Sequence, residues 1–236
     1  MMKSRLIGDL SPLWFWLPMG FVLLQLLVRL FSPEAHDLYI QARKETGLIE
    51  LMTPLALVPG IILGILALRR WRGLPNFSSR SWVAMVTLGA VYMAGEEVSW
   101  GQWLFYWDTP EVWAEINDQN ETNLHNTSAW LDQKPRLLLE LWALIGAIRI
   151  WVLDARGKKT DPGTTAYWFW PGHPLAWTGL LSALVMMPER VKDWWGIRMP
   201  TPFDIRVTET QELVLGFFIT FFLASVWLRL RSRSGG

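Results

Sequence analysis

Long uncharged, apolar runs constrain this chain more than any other feature. Residues 10–28 contain no charged side chain, although Pro12 and Pro18 interrupt them, and residues 51–68 read "LMTPLALVPGIILGILAL". A helix needs ~20 residues to cross a ~30 Å hydrocarbon core, where every backbone N–H and C=O must find its partner within the protein. Four further runs approach that length, each with few charges. The chain therefore reads as all-α: a polytopic membrane helix bundle forming one integral membrane domain over residues 1–236. Its spans, about six, fall near 10–30, 48–68, 81–105, 137–153, 167–188 and 210–228, with an outer loop at 108–136. The first run is long and leads into "LVRLFSPEAH" rather than a small-residue cleavage site, so a retained helix is expected.

Composition agrees. Only 18% of residues are charged, against about 25% in soluble domains. The seventeen tryptophans suit the aromatic belts at the two membrane interfaces. A net charge of +1 lacks the basic excess that nucleic-acid binding requires. The absence of cysteine excludes disulfides and thiolate chemistry.

Six spans put both termini on one side. With the N-terminus inside, the inner segments hold Lys3, Arg5, Arg69, Arg70, Arg72, Arg80, Arg156, Lys158, Lys159, Arg229, Arg231 and Arg233 against only Asp9, Asp154 and Asp161. Short basic loops stay in the cytoplasm, so the expectation is N-in and C-in.

The stretch "YMAGEEVSWGQWLFYW", residues 92–107, breaks the apolar pattern with Glu96 and Glu97. Counted from Ser81, a rise of ~1.5 Å per residue puts them about 22–24 Å into the third span. Glu50 opens the second span and Glu209 and Glu212 open the sixth, all at outer ends, while His125 follows in the outer loop "NDQNETNLHN". Each charge at such depth costs about 2.5–3.5 kcal/mol on insertion scales, so these groups are expected to face an interior cavity. Neighbouring helical residues point ~100° apart, so Glu96 and Glu97 address different surroundings. Gly89, Ala90, Ala94 and Gly95 precede them and would let another helix approach closely.

Carboxylates with one imidazole form a hard-to-borderline ligand set. The sequence therefore permits a divalent metal ion held by Glu97, His125, Glu50, Glu209 and Glu212 that activates water. Without metal, a glutamate tuned to the working pH serves as general base. Glu96, Glu97 and His125 are the catalytic candidates, and Ser99, Gln102, Asn123 and Asn126 the substrate contacts. His36, in an outer loop with solvent exposure the default, and His173, at the inner boundary, are set aside.

The segments "GEEVSWGQ", "DTPEVWAEINDQNETNLHN" and "ETGLIELMT" resemble an uncharacterised family of bacterial multi-pass membrane proteins with GEE-hydrophobic-SWGQ and NLHN motifs. The resemblance implies a cell inner (plasma) membrane location and singles out Glu96, Glu97, Ser99, Trp100, Gly101, Gln102, Asn123, Leu124, His125 and Asn126. A looser similarity links the adjacent glutamates to CAAX-processing intramembrane endopeptidases, but that pattern has an arginine four residues later, where this chain has Gly101. The function expected is a metal-assisted hydrolase or transferase acting on a lipid or lipid-linked substrate, with membrane lipids as partners and no protein partner specified. An ion- or proton-coupled transporter is the first alternative, although no internal repeat relates residues 1–107 to 108–236. A non-catalytic membrane subunit is the second, favoured if Arg136, Arg190, Arg198 or Arg206 pairs the outer glutamates.

Overall fold

Hydropathy and helix boundaries report different things, and the computed structural model separates them. It describes residues 11–41, 47–117 and 119–234. Lys3, Arg5 and Asp9 of the orientation argument, and Glu45 and Thr46 of "ETGLIELMT", lie outside the described residues. The long elements are α1 (Ser11–Phe31), α2 (Leu48–Arg69), α3 (Phe77–Glu97), α4 (Ala129–Ala155), α5 (Ala176–Val185), α6 (Met187–Trp195) and α7 (Val207–Ser234), with no strand among the described residues. Among the described residues, three helices are long and apolar enough to cross a membrane: Pro12–Phe31, Leu48–Arg69 and Val207–Arg233.

These three differ in surroundings. The apolar window of α7 is 83% buried, against 22% for α1 and 33% for α2, so α7 is the axis of the bundle. Helices α1 and α2 turn Leu23, Leu24, Leu27, Leu55, Val58 and Ile62 outward. Such faces suit a hydrocarbon solvent, where an outward leucine carries no penalty. Helix α2 lies along both α7 and α3, and α4 lies along α5. Small residues set these approaches: a Cβ on Gly60 of α2 would come within 2.8 Å of the Thr220 backbone on α7. The Thr220 hydroxyl donates across that contact to the Ala56 carbonyl at 2.6 Å.

Two expected boundaries differ. Helix α4 starts at Ala129, where Ser128 Oγ accepts from Leu131 N at 3.3 Å, so residues 129–136 are helix rather than loop. Hydropathy marks where an apolar run begins, and a polar first turn is invisible to it. The run 167–188 is not one continuous helix. It is a short helix Thr165–Phe169, a turn at His173–Leu175, then α5 and α6. Pro171 and Pro174 remove N–H donors from the middle of the run, and Pro188 opens α6. Helix α5 alone, at 10 residues, is about half the length needed to span.

Polar clasps close the end of the bundle where α7 begins. Gln41 Nε2 donates to Gln25 Oε1 (3.1 Å) and to the Arg206 carbonyl (2.8 Å), while Arg206 N donates to Gln41 Oε1 (2.7 Å). Arg29 bridges Asp204 (2.7 Å) and Asp37 (2.9 Å). His36 is buried at 1% exposure beside Asp37, not solvent-exposed as a loop position suggests, because the turn His36–Ile40 folds it inward.

The Arg29 guanidinium, by hydrogen bond and charge, holds the Asp204 carboxyl below its ordinary 3.8. Asp37 is lowered too, first by its hydrogen bond with His36 and then by Arg29. A carboxyl whose folded pKa is depressed contributes stability above its unfolded value and loses it as pH falls through the folded one. Thermal stability is therefore expected to fall as the pH drops below about 4, and Asp204→Asn to flatten that decline. A melting curve at each pH, wild type against variant, reads this directly; parallel curves refute it.

Candidate functional site

Helix α3 ends at Glu97, and the chain then reverses through three consecutive left-handed residues: Ser99 (φ 46°), Trp100 (φ 55°) and Gly101 (φ 104°). Two of the three carry side chains, a conformation costing roughly 1–2 kcal/mol each. What holds them is Glu96. Its Oε1 accepts from the Trp100 indole Nε1 at 2.6 Å. Its Oε2 accepts from the backbone N–H of Leu124 (2.7 Å) and His125 (2.8 Å), and lies 3.3 Å from His125 Nδ1. The indole folds back over Gly95, where a Cβ would meet the ring at 2.8 Å.

The remaining motif residues extend this lock. Ser99 is fully buried, donates to Glu121 Oε2 (2.7 Å) and accepts from Asn123 Nδ2 (3.1 Å). Asn126 Nδ2 reaches the same Glu121 oxygen at 3.3 Å. Gln102 Oε1 accepts from Thr122 N (2.8 Å), and its Nε2 donates to Thr109 Oγ1 (2.7 Å). Asn117 organises the loop, donating to the Asn123 carbonyl (2.9 Å) and accepting from Glu121 N (3.1 Å). The "GEEVSWGQ" and "NDQNETNLHN" segments are thus two halves of one hydrogen-bonded knot.

A cavity of about 480 Å³ lies beside this knot, between α3, α4 and α7. Its length is walled by apolar groups including Trp82, Val86, Met93, Leu139 and Trp142, and Glu97, His125, Arg136 and Glu212 join its lining. Glu97 is half-buried and, among the described residues, meets its neighbours by charge rather than by hydrogen bond. Arg136 pairs with Glu212. Glu50, Glu209 and Glu212 all come within electrostatic reach of Glu97, but Arg206 bridges Glu50 (3.4 Å) and Glu209 (2.6 Å).

The expected residues therefore divide. Glu96, Glu97, His125 and Glu212 line the cavity; Ser99, Gln102, Asn123 and Asn126 belong to the knot and do not. Glu50 and Glu209 are not in its lining and pair with Arg206 instead. Among the described residues no group of three or more His, Asp or Glu is arranged to hold a metal ion. Gly89 opens on the cavity, with nothing within 4 Å of a Cβ built there, rather than seating a neighbouring helix. The apolar α3 wall carries a sequence signal beyond the glutamates: Trp82, Val86, Gly89, Met93 and Glu96 recur at helical spacing along one face.

No protein-family model, no curated protein and no solved structure matches this chain.

Proposed function

We propose that this chain is a multi-pass protein of the bacterial inner membrane that handles a lipid or lipid-linked substrate. The chain of the substrate lies in the cavity between α3, α4 and α7, and its head group meets Glu97, His125, Arg136 and Glu212. The observation that carries this reading is the cavity's amphipathic lining: apolar along its walls, with its ionisable groups contributed by adjoining segments. The reaction class is hydrolysis or transfer of the head group. Arg136, paired with Glu212, hydrogen-bonds the head group with its remaining N–H donors. Glu97 takes the proton of the attacking water or acceptor hydroxyl as that oxygen bonds to the head group, and returns it to the departing oxygen as the old bond breaks, while Glu96 orients His125 beside them. A carboxylate only accepts, so His125 Nδ1 carries the ring proton toward Glu96 and Nε2 is the basic nitrogen.

Exposed apolar residues on α3 and α4, among them Leu88 at 67% and Leu138 at 68%, support their lying in lipid beside α1, α2 and α7. The basic inner segments support the N-in, C-in orientation. A divalent ion is secondary in this reading, because Arg136 and Arg206 already balance the glutamates that would bind it. A non-catalytic subunit is the second reading, favoured by the pairing of Glu50, Glu209 and Glu212 with Arg206 and Arg136, and of Glu140 with Arg190.

Gly89→Phe tests occupancy. The new ring enters open space, so the fold is expected to survive while the cavity fills. Mass spectrometry of lipid copurifying in mild detergent should show a defined class retained by wild type and lost from the variant. Identical lipid profiles at equal melting temperature would overturn the proposal.

A further inference from the structure

A second cavity, of about 520 Å³, lies at the far end of α4. Arg149 in its wall is about 20 Å along the helix from Arg136, at ~1.5 Å per residue. Basic groups dominate it: Arg149, Lys158, Lys159 and Arg229 all line it, against one carboxylate, Asp154, which is paired with His173.

The arginines are built into place. Arg229 is 7% exposed, yet no carboxylate pairs with it among the described residues. Its Nη1 donates to the Tyr167 carbonyl at 2.6 Å, and its guanidinium lies 4.6 Å over the Tyr167 ring. Arg149 donates to Thr160 Oγ1 at 3.1 Å and sits 5.9 Å over Trp170, again without a carboxylate. Aromatic stacking holds a guanidinium by its face and leaves edge N–H donors for a planar or tetrahedral oxyanion. A buried cation without a counter-charge is expensive, and the low-dielectric surroundings that make it so also strengthen its attraction for an anion. Gly172 lines the same wall, where a Cβ would collide with Arg229 Nη2 at 2.5 Å, so the backbone yields its space to the guanidinium.

We propose that this cavity binds a phosphate group, with Arg229 and Arg149 as donors and Lys158 and Lys159 at its rim. The phosphate belongs either to the head group of an anionic lipid entering from the bilayer or to a soluble phosphate ester. Basic pockets between membrane helices suit both.

The test uses the full chain in mild detergent, with thermal shift as the readout and short-chain phosphatidic acid and inorganic phosphate as probes. Wild type is expected to be stabilised by phosphatidic acid, and Arg149→Gln to bind it at least about tenfold more weakly, the loss expected for one charge-assisted hydrogen bond. Competition by inorganic phosphate assigns the site to soluble phosphates; lipid binding that phosphate does not displace assigns it to a head group. Lys159→Gln, at an exposed rim position, carries the same direction should Arg149→Gln fail to fold. Arg72→Gln, outside the cavity, is the control. No shift with either probe, or an equal loss in Arg72→Gln, overturns the proposal. The part of the shift that Arg149→Gln removes is expected to persist in Gly89→Phe, which separates this site's failure from that of the α3–α4–α7 cavity.

Discussion

Glu96→Ala is expected to destabilise the protein by about 3–5 kcal/mol, the range for removing one member of a buried charged network. The carboxylate side chain is 5% exposed and serves three donors and one imidazole. Removing it strands the Leu124 and His125 N–H groups, at about 1–3 kcal/mol for each left unpaired. It also releases the indole that holds Trp100 at φ 55°. Glu96→Gln, although isosteric, is expected to rescue little. Oε1 faces the indole N–H and Oε2 faces two backbone N–H groups, so either amide orientation points an NH₂ at a donor. Denaturant unfolding measures the energy, and limited proteolysis across residues 108–127 should show this loop released in both variants. A Glu96→Gln protein as stable as wild type, with its loop protected, would show that Glu96 does not hold the knot.

The same residues show what the sequence conveys. That the glutamate pair and His125 share one layer was legible, because an acidic pair near a helix end and a polar segment just beyond it lie at one depth; that His125 meets Glu96 rather than Glu97 was not. What Glu96 does there was not, since residue type reports hydrogen-bonding capacity but not direction. Ser99 and Asn123 have the chemistry of substrate contacts, yet they turn toward Glu121 and lock the loop. The helices α1, α2 and α7 were legible as long apolar runs. The breaks around Pro171, Pro174 and Pro188 were present in the sequence, but mean hydropathy averages over them. The central place of α7 was hidden for a related reason: an evenly apolar helix reads alike whether lipid or protein surrounds it.

Glu97 is the converse case, and it decides between catalysis and mere binding. Making no hydrogen bond among the described residues and standing within reach of three other carboxylates, it gives up no bonded partner on becoming an amide, so Glu97→Gln is expected to fold with stability no lower than wild type. The amide keeps the side chain's shape and polarity but cannot take a proton. If Glu97 is the general base, turnover of the lipid should drop by about 10²–10⁴-fold while the bound lipid stays. Reconstituted protein incubated with an inner-membrane lipid extract, followed by mass spectrometry of new head-group products, supplies the readout. Gly89→Phe should lose both bound lipid and product, whereas Glu97→Gln loses only product. Retention of a defined lipid by all forms except Gly89→Phe, with no product from any, would instead favour the non-catalytic subunit. In that case the pair of Arg136 with Glu212 is the cavity's purpose: a charged rim that holds a lipid in place.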